Sequence, residues 1–299
     1  MSPDTQHSSP ADPKLQRAAR CDYAVGLTCI VLSAIFFATA GVLCKLISWN
    51  AWSISAGRSL FAALVMYIYM RAKGHRFVIN KPTLIAAAIN LVMFTSFLIA
   101  NKLTTAANTI VLQFTEPVWV ILFAWLLFKS RPRKEAAIAC AVIFAGIVCF
   151  FASQLSLGSG IAGELIAILS GATYAGVFLF KKIPGCSFES ASIISFLAAV
   201  VVGIPSLMGE TDWSAPNLAM VVFMGVVQLG LAYVLLGRGL DSVSPVTASL
   251  TSTIEPIVNP ILAAVVLGET LSPLCAVGAV LVIGAATVYN VWCARTGAD

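Results

Sequence analysis

The chain has 299 residues, of which 59% are hydrophobic and 10% charged, with a formal net charge of +5. A water-soluble domain carries about 25% charged residues. A chain this poor in charge cannot cover itself in water, so its outer solvent must be lipid and no nucleic-acid partner is expected. Eight cysteines are scattered through the apolar runs, and none forms a Cys-x-x-Cys pair. They read as small, buried, reduced side chains, and no metal site is expected. The two histidines, His7 in the N-terminal part and His75 in a basic loop, are badly placed for a zincin helix or a Ser-His pair, which argues against a membrane hydrolase.

Residues 1–22 are polar and contain three prolines, the pattern of a short disordered tail. The run from Tyr23 to Ile47 is too long for a signal-peptide core and has no convincing cleavage site. About 20 apolar residues span a bilayer. That ruler places spans at 23–47, 51–70, 82–101, 105–128, 134–152, 161–181, 188–208, 216–237, 245–267 and 272–293. Short connections make consecutive spans antiparallel neighbours.

Basic residues set the orientation. If the N-terminus is cytoplasmic, all lysines and arginines except Lys45, Arg58 and Lys102 fall in the inner tail, the inner loops or the inner helix ends. Glu210, Asp212 and Glu269 then fall in outer loops. Both termini are expected in the cytoplasm, with residues 152–160 outside.

The sequence repeats internally. TIVLQFTEPVWVILFAWLLF from Thr109 aligns with ASLTSTIEPIVNPILAAVVL from Ala248, matching Glu116-Pro117 to Glu255-Pro256. SAIFFATAGVLCK from Ser33 aligns with SGATYAGVFLFKK from Ser170, setting Phe37 opposite Tyr174 and Lys45 opposite Lys182. Gly146 aligns with Gly284. Each half therefore holds five spans, and an odd number inverts the second half relative to the first. Inverted repeats around a midplane site are a common transporter design.

These residues resemble the drug/metabolite transporter superfamily, and within it the EamA-type ten-helix members. The resemblance runs from about residue 25 to 291. It is best in Trp52 to Leu60 with Arg58, in the Glu-Pro pair of the fourth span, and in GRGLDSVSPVTASLTSTIEPIVNPILAAVVLGE from Gly237 to Glu269. The first half departs where Phe128-Lys129-Ser130 stands in place of Leu-Gly-Glu. The resemblance implies a carrier that exports amino acids, drugs or other small metabolites. Related branches exchange nucleotide sugars or phosphorylated sugars.

Charges inside spans come first among candidate site residues, because each costs about 2.5 kcal/mol or more at the helix centre. Glu116 and Glu255 both reach roughly the midplane. Pro117 and Pro256 follow them, and with Pro260 they deprive the carbonyls of Gln113, Ser252 and Pro256 of donors, so kinks are expected there. One reading makes a glutamate a proton carrier or substrate ligand; the other makes both glutamates fixed partners that hold the kinks. Arg58 cannot be neutralised, and either binds a substrate carboxylate or pairs with Glu116. Lys45 lies near enough to a helix end to snorkel. Asn90 and Gln228 are near-equivalent in the repeat. Phe37, Tyr174 and Tyr233 either line a midplane pocket or simply pack, and Trp119 shares a face with Glu116. Stripes of small residues, Gly163, Ala167, Gly171 and Ala175 in one span and Ala137, Ala141 and Ala145 in another, read as packing seams, with a homodimer contact among the options.

The expectation is an all-α membrane protein of ten transmembrane helices, built as two inverted five-helix repeats over residues 23–152 and 161–293. It is expected to be a multi-pass protein of a bacterial inner membrane. Its partners are the lipid bilayer and a small-molecule substrate. The expected function is secondary export of small metabolites such as amino acids, driven by an ion or substrate gradient. No Walker-type Gly-x-x-x-x-Gly-Lys-Ser/Thr motif occurs, and neither a cofactor nor enzymatic activity is expected. The alternatives are an organophosphate or nucleotide-sugar antiporter, and a scaffold or sensor that transports nothing.

Overall fold

A computed structural model describes residues 13–104, 106–152, 155, 161–267 and 273–297. Among these residues ten helices are long and apolar enough to cross a membrane: α1 (Cys21–Cys44), α2 (Ala51–Ala72), α3 (Lys81–Ala100), α4 (Asn108–Phe128), α5 (Lys134–Phe151), α6 (Ile161–Lys182), α7 (Phe188–Leu207), α8 (Ala215–Gly239), α9 (Pro245–Val266) and α10 (Pro273–Thr296). The helix that becomes α1 already begins at Pro13. The end of the expected disordered tail is therefore helical, and residues 1–12 lie outside the described residues.

Local chemistry starts the helices where the sequence changes character. Asn50 caps α2 by accepting from the amides of Trp52 and Ser53, and Asn80 caps the α3 helix through Thr83. Ser187 does the same for α7 and Ser244 for α9. Each such cap satisfies amides that a helix N-terminus leaves without partners.

Helices pair according to a two-fold exchange of the halves. The second helices of each half, α2 and α7, pack together, as do the fifth helices, α5 and α10. α3 packs on α6 as α8 packs on α1, and α4 packs on α6 as α9 packs on α1. One apolar cluster gathers around Phe178, Phe188, Phe196 and Tyr233, and a second joins α5 and α10 through Ile143, Ile147, Phe150 and Val282. The outward faces are apolar instead of charged, with Leu64, Ile68, Ile85, Val201, Val280 and Val288 all exposed. Such a surface is stable only against hydrocarbon.

The exchange is imperfect in detail. A Cβ built at Gly146 would stand 3.0 Å from the Gly278 carbonyl oxygen, and one at Gly278 would stand 2.5 Å from that of Gly146. Gly284, its partner in the alignment, has no neighbour within 4 Å of a built Cβ. The close α5–α10 crossing thus uses Gly278. Of the two small-residue stripes, Gly163, Ala167, Gly171 and Ala175 lie buried within the chain, whereas Ala137, Ala141 and Ala145 face outward. The cysteines are free thiols, and only Cys29, Cys140, Cys275 and Cys293 are buried; Cys21 and Cys44 are exposed.

Candidate functional site

The Glu-Pro pairs do more than kink their helices. α4 stops at Gln113, turns through Phe114 and Thr115, and restarts at Glu116. α9 stops at Ser252, turns through Thr253 and Ile254, and restarts at Glu255. Both spans are discontinuous, and each glutamate is the first residue of a new half-helix. Proline then occupies a position where its missing N–H costs nothing and its fixed φ suits the first turn. Pro260, by contrast, sits inside the second half-helix of α9. Gly171 lets α6 close on the α4 break, since a Cβ there would stand 2.5 Å from the Gln113 carbonyl oxygen. Beside it the Gln113 side-chain amide donates to Ser170 Oγ over 3.0 Å.

Irregular backbone at membrane depth is tolerated only against protein or a wet cavity. Here the two breaks meet around a group of acids and hydroxyls. Glu116 is wholly buried, and both of its carboxyl oxygens lack a hydrogen-bond partner. Ser249 of α9 interacts with Glu116 from across the break, yet its buried Oγ also lacks a bond of standard geometry. Glu255 is partly buried, keeps Oε2 without a partner, and faces Tyr174 of α6. The two carboxyls interact electrostatically with each other. The two carboxyls expected near the midplane therefore lie close together, one from each half.

Arg58 is not part of that pair. Its Nη1 donates to Gln228 Oε1 over 3.2 Å, and its Nε is buried without a partner. Gln228 lies in a π-helical stretch of α8, Met224–Leu231, which sequence periodicity gives no sign of. Such wide turns recur at functional sites. Gly225 in the same stretch brings α8 against α2, because a Cβ there would stand 2.6 Å from the Arg58 carbonyl oxygen. Tyr233 joins this region to the other half of the protein. Its hydroxyl donates to Asn90 Oδ1 over 2.8 Å, and the Asn90 amide donates to Ser195 Oγ over 2.7 Å. The rings of Phe37 and Phe196 meet Tyr233 edge-on at 5.6 and 5.0 Å, and Phe188 stacks at 6.0 Å. Phe37 and Tyr174 hold related places in the repeat but different partners, for Tyr174 packs on Phe114 and Phe178. Trp119 turns its indole to Thr115 Oγ1 at the α4 break and to the Phe123 ring. The side chain of Lys45, and Glu269 altogether, lie outside what is described.

Both ends of the bundle carry contacts that the sequence did not single out. At the end with the acidic loops, Trp49 Nε1 donates to the Asp212 carbonyl over 2.6 Å, and Ser48 Oγ donates to the Asp212 carboxyl over 2.7 Å. Asn217 bonds the same carboxyl, Asn50 donates to Glu210, and the rings of Trp49 and Trp213 lie 4.9 Å apart. Except for Asn217 with Asp212, these partners are 160 or more residues apart in the chain, so no local signal announces them. At the basic end Lys181 lies 2.5 Å from Asp241 and 3.9 Å from Glu189. A cleft of about 320 Å³ there runs between α4, α6, α9 and α10, and a wider one of about 1090 Å³ lies between α1, α10 and the α8–α9 connection. None of the candidate site residues lines either cleft, and the carboxyl pair is enclosed.

The model of the EamA-like transporter family matches the chain twice, over residues 24–152 and 161–291. The chain is 25% identical to the uncharacterized transporter YwfM of Bacillus subtilis (strain 168), over 82% of this chain and 86% of that one. It is 26% identical to the uncharacterized inner membrane transporter YedA of Escherichia coli (strain K12), covering 75% and 76%. It is also 26% identical to human solute carrier family 35 member G1, covering 74% and 67%. A solved crystal structure superposes with a TM-score of 0.78 over 92% of this chain and 98% of its own, at 16% identity, which bears on the fold alone.

Proposed function

The chain belongs to the EamA-like transporter family, and we propose that it exports small zwitterionic or neutral metabolites, amino acids first among them, by alternating access. The observation that carries this reading is the enclosed carboxyl pair at two broken helices, one from each half. Half-helix ends and freed carbonyls at midplane are the usual means of holding a substrate or ion inside a membrane. Exchanging the conformations of the two halves would expose that pair to one side and then to the other. A buried carboxyl loads and releases protons as its exposure changes, so a proton gradient is the proposed drive. In this reading Arg58, held by Gln228, takes one substrate carboxylate, and the rings around Tyr233 suit a modest apolar side chain.

The proposed orientation sets the basic end in the cytoplasm of a bacterial cell, with both termini inside. The contacts of Trp49, Asp212 and Glu210 then form an outer seal. No catalytic role is assigned to any residue. Sites for phosphorylated substrates present several cations, and among the described residues the enclosed region offers one, Arg58. Counterflow in liposomes holding the purified protein tests this reading. Exchange of neutral amino acids above that of sugar phosphates is expected. Robust exchange of a phosphorylated sugar without uptake of any amino acid would make the antiporter the better reading, and no flux of either class would favour a scaffold.

A further inference from the structure

We propose that the smaller cleft at the basic end, between α4, α6, α9 and α10, is an entry site that holds a carboxylate joined to a compact apolar body. Ile121, Ala124, Leu179 and Val246 form an apolar lining, and Arg131, Arg133 and Lys182 supply the charge. Among the described residues no acidic side chain lines it. The neighbouring lysines at the end of α6 make the contrast plain. Lys181 is engaged by Asp241 and Glu189, while Lys182, one residue on, has no such ion pair and stands at the border of both clefts, lining the smaller one and also the wider one that holds Asp241. Among the described residues none of Arg131, Arg133 and Lys182 has an ion-pair partner. Arg133 rests over the Trp292 ring at 5.9 Å, which orients its guanidinium without neutralising it.

A preference for basic residues on the cytoplasmic side accounts for their presence in loops. It does not account for three of them lining one largely apolar cleft with no acid beside them among the described residues. The volume stands near the lower end of the range for small-molecule sites, about 300–1,000 Å³, which limits the apolar body to one ring or a short chain. Ile121 lies five residues beyond Glu116 on the same half-helix, about 7.5 Å along its axis. The cleft is therefore one step from the enclosed carboxyl pair on the cytoplasmic side. A single negative charge is the match for this route. It would meet three cations in the cleft, whereas a phosphate dianion would carry an excess charge toward two glutamates. The inference rests on the exporter reading for the direction of entry.

The test is equilibrium binding to the purified full chain in detergent, using 3-phenylpropionate, its neutral amide and 3-phenylpropyl phosphate as probes. The acid is expected to bind about tenfold or more tightly than the amide. Arg131→Gln, Arg133→Gln and Lys182→Gln combined should erase that preference, while Lys73→Gln, an exposed basic position outside the cleft, should keep it. All three changed positions are exposed, so folding is not at stake, and an unchanged thermal midpoint checks this. Equal binding of acid and amide, or a preference that survives the triple change, overturns the proposal. Tighter binding of the phosphate than of the acid overturns the carboxylate assignment. Loss of binding on adding phosphatidylglycerol to the micelles makes a lipid headgroup the occupant and also overturns it. Binding of the acid without any counterflow would sink the exporter reading and leave this site standing; counterflow without charge-dependent binding would do the reverse.

Discussion

Asp212 shows how much one exposed carboxyl can organise. Ser48 first, then the Ser214 hydroxyl and amide, donate to it and hold its pKa below the ordinary carboxylate value. A group whose pKa is depressed in the folded protein contributes stability above its ordinary pKa and loses it as pH falls through the folded value. The seal it anchors should therefore hold from about pH 8 to about pH 5 and loosen only below the usual carboxylate range. Spin labels at Leu46 and Thr211 should report one narrow distance over that interval. Asp212→Asn should broaden the distribution at every pH, and a shift of the wild-type distance above pH 5 would contradict the assignment. Burial pushes the Cys186 thiol up to about 11, so it should react slowly with maleimide at neutral pH. Within the membrane, Arg58→Gln should raise KM for carboxylate substrates by about tenfold, the scale of one charge-assisted hydrogen bond. It should leave KM for neutral substrates unchanged. An equal effect on both would place Arg58 in the scaffold and not against substrate. Glu116, Glu255 and Arg58 were legible as candidates because a charge in an apolar run is conspicuous. The partner of Arg58 was not, because choosing Gln228 over Glu116 depends on a π-helical stretch with no sequence signature.

At the scale of elements, α4 ends on a residue that ought to be glycine. Lys129 adopts φ 54°, the left-handed conformation, at the place where the repeat's second half has the glycine of Leu-Gly-Glu. The first half has lysine at that place and makes the left-handed turn with it. A side chain in that conformation costs about 1 kcal/mol or more, so Lys129→Gly should raise unfolding stability by about 1 kcal/mol in detergent, with unchanged flux. A lowered thermal midpoint would count against the turn. Gly171 is the opposite case, since α6 touches the α4 break through it. Gly171→Val should destabilise by about 1–3 kcal/mol through overpacking, and transport should fall with it. If the midpoint does not move, α6 is not held at the break. Spans and repeat were readable from hydropathy and from the Glu-Pro pairs. The sequence implies a kink where the structure has a break, because proline alone reports a missing donor and not whether the helix resumes its axis.

The whole molecule behaves as two halves that share one interior. Labelling of single cysteines introduced at Ser130 and Ser156, in a background without native cysteines, checks its orientation on intact cells. An impermeant reagent should reach Ser156→Cys and spare Ser130→Cys, and the reverse pattern would invert the topology. The contacts at the end with the acidic loops and the clefts at the basic end arise from pairings between halves, such as Trp49 with Asp212, so they emerge only once the chain is folded. The central claim is that the enclosed carboxyls of Glu116 and Glu255 couple protons to substrate movement. Glutamine preserves size and hydrogen bonding at both positions but cannot titrate. The most direct measurement is amino-acid flux in liposomes under imposed pH gradients, for the wild type and for Glu116→Gln and Glu255→Gln, each first shown to be folded. The wild-type rate should depend on the gradient, and at least one variant should lose that dependence. If both variants respond to the gradient as the wild type does, proton carriage by this pair is wrong.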